Sequence, residues 1–183
     1  MDRNKLLMVF FVGSESFFFL ALIISYVYYS HPGGSLSQTA TFLNVPLTAV
    51  FSFFLFTSSL TIMLAEKAMM KGNLKRCLVW LLLTIGLGLV FLTGQAHEYA
   101  GLISDHVTIS RDVFGSAFFT LTGFHGLHVL IGIITLSILA IMLYTKKFSR
   151  ILNNIFPSAA IYWHFVDAVW VVVFSVVYIG AII

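Results

Sequence analysis

The chain has 183 residues, of which 60% are hydrophobic and only 9% are charged, with a formal net charge of +3. Charged residues make up about a quarter of an ordinary soluble domain, so this composition excludes a soluble globular protein. The apolar runs are long and continuous rather than alternating, which indicates transmembrane helices. We therefore expect an all-α, polytopic membrane helix bundle that forms a single domain over residues 1–183. With one cysteine, Cys77, no internal disulfide can form.

Five segments are long enough to cross a bilayer, which takes about 20 apolar residues. In chain order they cover about 6–29, 45–65, 77–103, 114–145 and 155–183. A His31-Pro-Gly-Gly-Ser segment follows the first span and cannot continue a helix cleanly. Pro46 suits the first turn of the second span and Pro157 suits the opening of the fifth.

Nine of the ten Lys and Arg residues fall in segments that would share one side of the membrane. They precede span one or lie between spans two and three and between spans four and five, whereas Arg111 alone lies on the opposite side. Because basic residues are retained on the cytoplasmic side, this asymmetry predicts a cytoplasmic N-terminus and an outer C-terminus.

A short set of ionisable residues lies inside the predicted spans, where each is a candidate functional residue because hydrocarbon disfavours it. The set consists of Glu15, His97, Glu98, His125, His128, His164 and Asp167. No Lys or Arg is among them, so the carboxyl groups can pair only with imidazoles, hydroxyls, lipid or water.

Depth estimates divide this set into two groups, since a helix rises about 1.5 Å per residue. Glu15 shares the depth of His164 and Asp167, so we expect these three to meet in the inner half. The His97–Glu98 pair is expected to meet His125 in the outer half. His164 and Asp167 also suit an i, i+3 pair that fixes helix orientation. Glu15 has no partner in its own helix and should be protonated or held from elsewhere.

The stretch "GFHGLHVLIG" places His125 and His128 on one face of the fourth helix. Two imidazoles on one face cannot occupy both axial positions of one haem. A small ion bound by these two histidines and Glu98 is conceivable on spacing alone. The favoured interpretation is hydrogen bonding between helices, since Gly123 and Gly126 allow a neighbouring backbone to come close.

Five stretches in order along the chain carry a resemblance to one family. They are "SESFFF", "PLTAVFSFFLFTSSLTIMLA", "FLTGQAHEY", "VFGSAFFTLTGFHGLHVLIG" and "YWHFVDAVWVVVFSVVY". Together they resemble subunit III of the haem–copper oxidases, in the short five-span form found in bacteria. The fourth stretch is the most specific, and Glu15 in the first matches the family's buried, carbodiimide-reactive carboxyl.

The resemblance implies an accessory, non-catalytic subunit of a respiratory complex that reduces oxygen to water and pumps protons. Haem and copper are expected in partner subunits I and II, with no metal or other redox cofactor in this chain. It further implies direct contact with subunit I, proximity to subunit II and other small subunits, bound phospholipid, and no nucleic acid. The expected location is the bacterial plasma membrane. Glu15 would handle protons in support of proton uptake, and the other six residues would pack helices or contact lipid.

Three other functions remain open at this point. One is a related subunit associated with nitric oxide reductase, which shares the five-span form. A second is a small proton-coupled membrane transporter, because intramembrane Glu, His and Asp suit a proton relay. The third is a standalone metalloenzyme, although the chain lacks the dense carboxylate and His spacing of a di-iron bundle.

Overall fold

Five long helices make up the part of the chain that the computed structural model describes, residues 3–29, 43–110, 113–145 and 149–180. They are α1 (Arg3–Tyr29), α2 (Val45–Met70), α3 (Leu74–Ser104), α4 (Val113–Thr145) and α5 (Ser149–Phe174). A π-helical turn, Ser175–Ile179, continues α5. Each helix is long and apolar enough to cross a membrane, so the predicted all-α, five-span architecture is confirmed.

The turn between α2 and α3 is shorter than predicted. The helix α2 runs to Met70 rather than ending near residue 65, and α3 begins at Leu74 rather than near 77. Gly72 takes a positive φ of 70°, a conformation that ends helices and that glycine adopts without strain. The Asn73 side chain then accepts a hydrogen bond from the Arg76 N–H (3.1 Å) and caps α3.

Proline marks the start of α2 but not of α5. Pro46 lies in the first turn of α2, as predicted, behind an Asn44 cap that accepts from the Leu47 N–H (3.2 Å). Pro157 lies inside α5, which begins at Ser149, although it does fall at the opening of the apolar span Asn154–Ile179, as predicted. A helix can continue beyond the hydrocarbon into the interfacial region, so the start of the apolar run is not the start of the helix. The predicted break at His31 and the last three residues of span five lie outside the described residues.

The core lies where α2, α3, α4 and α5 meet, and α1 packs against α4 and α5. Trp163 of α5 is fully buried there, between a glycine of α3 and a glycine of α4. A Cβ on Gly88 would lie 2.9 Å from the indole, and one on Gly132 would lie 2.8 Å from it. Only glycine at both positions lets the two helices approach this side chain so closely.

Candidate functional site

Glu15 on α1 contacts His128 on α4, with 3.2 Å between Oε2 and Nε2. His128 is mostly buried, and the side chain of Glu15 keeps 23% of its surface exposed. The Phe19 ring packs edge-on against the imidazole at 5.0 Å. The Tyr162 hydroxyl donates to the His128 carbonyl oxygen (3.0 Å), which ties α5 to the same place. Glu15 is thus anchored at one oxygen while part of its side chain stays accessible from outside the bundle.

The second ring nitrogen of His128 limits how this pair can be protonated. Nδ1 lies 2.7 Å from the Phe124 carbonyl oxygen. A carbonyl can only accept, so Nδ1 carries a proton. A bonded Nε2–Oε2 contact then needs one further proton, either on Glu15 or on the imidazole. In both cases the pair is electrically neutral overall, which suits its apolar surroundings.

The partner of Glu15 in the structure differs from the predicted one. The expectation grouped Glu15 with His164 and Asp167, but its hydrogen bond goes to His128. The physical reason is that α4 has 33 residues, and about 50 Å of helix is longer than the roughly 30 Å thickness of a hydrocarbon core. Counting from the end of such a helix therefore misplaces a residue along the membrane normal.

Glu98 on α3 lies in a second polar cluster, near the Ser104 end of that helix. Its Oε1 accepts from the Thr48 hydroxyl of α2 (3.0 Å), and its Oε2 accepts from the Tyr178 hydroxyl (2.7 Å). Tyr178 lies in the π-helical turn, so Glu98 joins α2, α3 and the end of α5. One turn away, Gln95 donates to the Thr122 carbonyl of α4 (2.7 Å). These contacts join every helix except α1 at this depth.

His125 does not join that cluster, contrary to the expectation. The side chain is fully buried, and neither ring nitrogen has a hydrogen-bond partner among the described residues. The imidazole stacks on the Trp170 indole, with 4.7 Å between centroids and 27° between planes. Phe91 meets the imidazole edge-on at 5.9 Å. The contacts of His125 are therefore aromatic packing contacts.

His97 was expected beside Glu98 and His125 but faces outward. It is exposed on α3, whereas the neighbouring Glu98 is buried. Consecutive helical residues point about 100° apart, so only one of the two can face the bundle. Depth alone could not decide which one.

The third polar cluster joins α5 to α2 through a serine. Ser59 Oγ lies 3.1 Å from His164 Nδ1 and also donates to Asp167 Oδ2. Asp167 is buried, and its Oδ1 has no hydrogen-bond partner among the described residues. Glu66 on α2 lies close enough to interact electrostatically with His164. The predicted association of His164 with Asp167 therefore runs through a hydroxyl on another helix.

The residues that sequence reasoning missed are mostly hydroxyls of α2 and their tryptophan partners. Trp163 Nε1 donates to Ser58 (2.9 Å), and Trp170 Nε1 donates to Ser52 (2.8 Å). Ser and Thr are not ionisable, so a search for charges at membrane depth passes over them. The available signal was the spacing of hydroxyls along "PLTAVFSFFLFTSSLT", which repeats on one helical face.

The ligand set considered for a small ion is dispersed in the structure. Glu98 is held by two hydroxyls, His128 is turned toward Glu15, and His125 is enclosed by rings. Across the described ranges, no three His, Cys, Asp or Glu side chains come together in a way that could hold a metal ion.

Two grooves flank α1. One, of about 270 Å³, lies between α1 and α5 and is lined by apolar side chains and a single hydroxyl, that of Ser16. The other, of about 210 Å³, lies between the C-terminal end of α1 and the N-terminal end of α4. Its hydroxyl groups come from Ser25, Tyr29, Ser116 and Thr120.

Comparison with known proteins identifies the family. The family model described as "Cytochrome c oxidase subunit III" matches residues 2–182. A "Cytochrome c oxidase subunit 3" of Corynebacterium diphtheriae is 36% identical over 173 residues, covering 93% of this chain and 84% of that protein. One of Alkalihalophilus pseudofirmus is 35% identical over 180 residues, covering 97% and 87%. One of Artemia franciscana is 38% identical over 178 residues, covering 93% of this chain and 66% of the animal protein. The chain belongs to the cytochrome c oxidase subunit III family.

Proposed function

We propose that this chain is the accessory subunit III of a respiratory haem–copper oxidase that reduces oxygen to water and pumps protons. The observation that carries the proposal is the family match over residues 2–182, which includes all five helices. The redox centres belong to partner subunits I and II. This chain lies in the bacterial plasma membrane, where it stabilises that core, binds lipid and supports proton uptake.

Direct contact with subunit I is supported by the amount of apolar surface that the bundle leaves uncovered. The least buried helix is α1, where Leu7, Phe10, Phe17 and Tyr28 are all exposed. Such a surface is covered in the membrane by lipid or by another subunit. Helices pack there through shape and polar contacts rather than through hydrophobic burial. The exposed aromatic side chains of α1 offer a neighbouring subunit a surface for such packing.

Phospholipid binding is supported by the two grooves beside α1. The groove between α1 and α5 suits an acyl chain, because Phe19, Leu20, Phe165 and Val169 are among its lining residues. The groove between α1 and α4 carries hydroxyls that can donate to phosphate or ester oxygens of a headgroup. A lipid held in either groove would join α1 to the rest of the bundle.

Glu15 is the proposed proton-handling residue of the accessory subunit. It shares a proton with His128 and remains partly accessible from outside the bundle. The remaining candidates lie at helix-packing or lipid-contact positions. Glu98, His125 and Asp167 are buried between helices, and His97 is exposed where lipid or a partner would lie.

The test is purification of the complex through a tag on this chain in a mild detergent. We expect a large subunit to co-purify and the visible spectrum to show haem in a fixed ratio to this chain. A photo-crosslinker placed in turn at Phe17, Val79 and Ile141 samples exposed positions on α1, α3 and α4. At least one of them should crosslink to subunit I.

Two results would overturn the proposal. The chain could purify without any haem protein, or with the catalytic subunit of nitric oxide reductase. If haem co-purifies but none of the three positions crosslinks to subunit I, direct contact with subunit I is wrong while the family assignment stands.

A further inference from the structure

Ser59 lies between His164 and Asp167, and its hydroxyl proton has one possible direction when Asp167 is ionised. Its Oγ contacts Nδ1 of the imidazole at 3.1 Å and Oδ2 of the carboxyl group. An ionised carboxylate can only accept, so the serine proton points to Asp167 and Nδ1–H donates to Oγ. This arrangement leaves the other imidazole nitrogen, Nε2, with a free lone pair.

The same hydroxyl differs from its neighbours on α2. Ser52 and Ser58 donate to carbonyl oxygens of their own helix. Among the described residues, Ser59 has no carbonyl partner, and its bonding capacity is directed wholly to His164 and Asp167. Ser59 is therefore a connecting group between two titratable side chains, not only a contact between helices.

Asp167 is the buried end of this chain of groups. It is 5% exposed, and its Oδ1 has no hydrogen-bond partner in the described part of the protein. No Lys or Arg in that part forms an ion pair with it. A buried carboxylate with so few donors is costly, and binding a proton removes that cost.

The opposite end of this group is His164, which is only partly buried, and a cavity lies further toward the predicted cytoplasmic surface. Glu66 lies two helical turns from Ser59 on the same face of α2, toward Met70, and interacts electrostatically with His164. A cavity of about 140 Å³ opens beside Glu66, between α2 and the first half of α5 around Pro157. That volume holds several waters beside Glu66, and the relay requires them to continue to the imidazole, which does not itself line the cavity.

We propose that His164 and Ser59 form a proton relay that loads Asp167 from the cavity beside Glu66. A proton from cavity water binds Nε2, Nδ1–H passes to Ser59 Oγ, and the serine proton passes to Oδ2. One proton has then entered Asp167, the imidazole has changed tautomer, and the serine is unchanged. Release is the reverse sequence, which also restores the tautomer.

The relay is a terminal store rather than a channel. Beyond Asp167 the hydrogen-bond chain stops, because Oδ1 has no partner among the described residues. The titratable groups on the open side of Asp167 are His164 on α5 and, beside the cavity, Glu66 on α2. Protons therefore enter and leave at the same end of the bundle. Use of this store by an oxidase rests on the proposed function, whereas proton binding by Asp167 does not.

The experiment is infrared spectroscopy of the whole tagged complex, following the C=O stretch of buried protonated carboxyl groups. We expect Asp167→Asn to remove one band, whereas Glu98→Gln leaves that band in place. Transfer into D₂O shifts the band, and the rate of the shift reports proton exchange. Ser59→Ala and His164→Gln should slow exchange, and Ser59→Thr should restore it. Ser58→Ala is the matched control, because it also removes a hydroxyl that joins α2 to α5 but should leave the rate unchanged.

Two results would overturn the relay. Persistence of every carboxyl band in Asp167→Asn would mean that Asp167 holds no proton. Equal exchange rates in Ser59→Ala and Ser58→Ala would mean that Ser59 conducts none. These measurements do not depend on the identity of the co-purifying subunit. A failure of the relay is therefore distinguishable from a failure of the proposed function, which would appear as the absence of haem.

Discussion

Replacing Gly132 with alanine tests whether the close packing of Trp163 between Gly88 and Gly132 stabilises the bundle. The new Cβ would lie 2.8 Å from Cε3 and Cζ3 of the indole. Favourable carbon–carbon contacts are about 3.5–4.0 Å, so the methyl group is at least about 0.7 Å too close. The indole cannot retreat, because Gly88 approaches it from α3 and its Nε1 is bonded to Ser58.

The expected effect is a loss of stability by overpacking, about 1–3 kcal/mol. Alanine is also a better helix former than glycine, by up to about 1 kcal/mol, which partly offsets the loss. Gly86→Ala supplies the control for that offset, since a Cβ there meets nothing within 4 Å. The difference between the two variants is then the overpacking cost.

Cys77 provides the assay, because it is the chain's one cysteine and is fully buried. The complex is heated with a thiol reagent, and modification of Cys77 is read on this chain by mass spectrometry. We expect Gly132→Ala to become labelled several degrees below the unmodified chain, and Gly86→Ala at or above it. If the two variants label at the same temperature, the indole is not confined as described and the reasoning fails.

Three further predictions follow from the membrane topology and the polar residues. A reporter fused at Ile183 should be extracytoplasmic and one in the 71–75 turn cytoplasmic, because nine of ten basic residues share that side; the reverse result at either site refutes the orientation. In the double variant His125→Gln, His128→Gln, metal analysis should find the same iron and copper content per subunit I as in the unmodified complex. Assembly should weaken, because Glu15 loses its partner. Glu15→Gln should assemble and still reduce oxygen but lose carbodiimide labelling, and normal assembly with no oxygen reduction would contradict an accessory role.

The helices were predictable because hydropathy over 20 residues is a strong, one-dimensional signal. The seven ionisable residues at membrane depth were found for the same reason. Their partners were not, because residue counting gives a position along the membrane normal but not the direction in which a helix face points. His97 and Glu98 illustrate this, since they share a depth and yet one is exposed and the other buried.

The pairing of Glu15 failed for a related reason. Its estimated depth placed it near His164 and Asp167. Asp167 does form a hydrogen bond between helices, but its partner is Ser59 of α2 and not Glu15. Rotation of each helix about its axis is set by packing of small and large side chains, such as glycines against an indole. That information is spread over several helices and cannot be read from one span at a time.

The hydroxyl groups of α2 explain how a helix with so little charge can hold the bundle together. Ser52 and Ser58 each donate to a carbonyl oxygen of their own helix. Their hydroxyl protons are therefore hydrogen-bonded even when the helix lies in hydrocarbon. Their oxygen lone pairs remain free to accept from Trp170 and Trp163 of α5. Because lipid offers an indole N–H no acceptor in the hydrocarbon region, each tryptophan gains a partner only when α5 docks in this register. The association of α2 with α5 is thus specified by neutral donors and acceptors, and the few ionisable groups of the chain are left for other tasks.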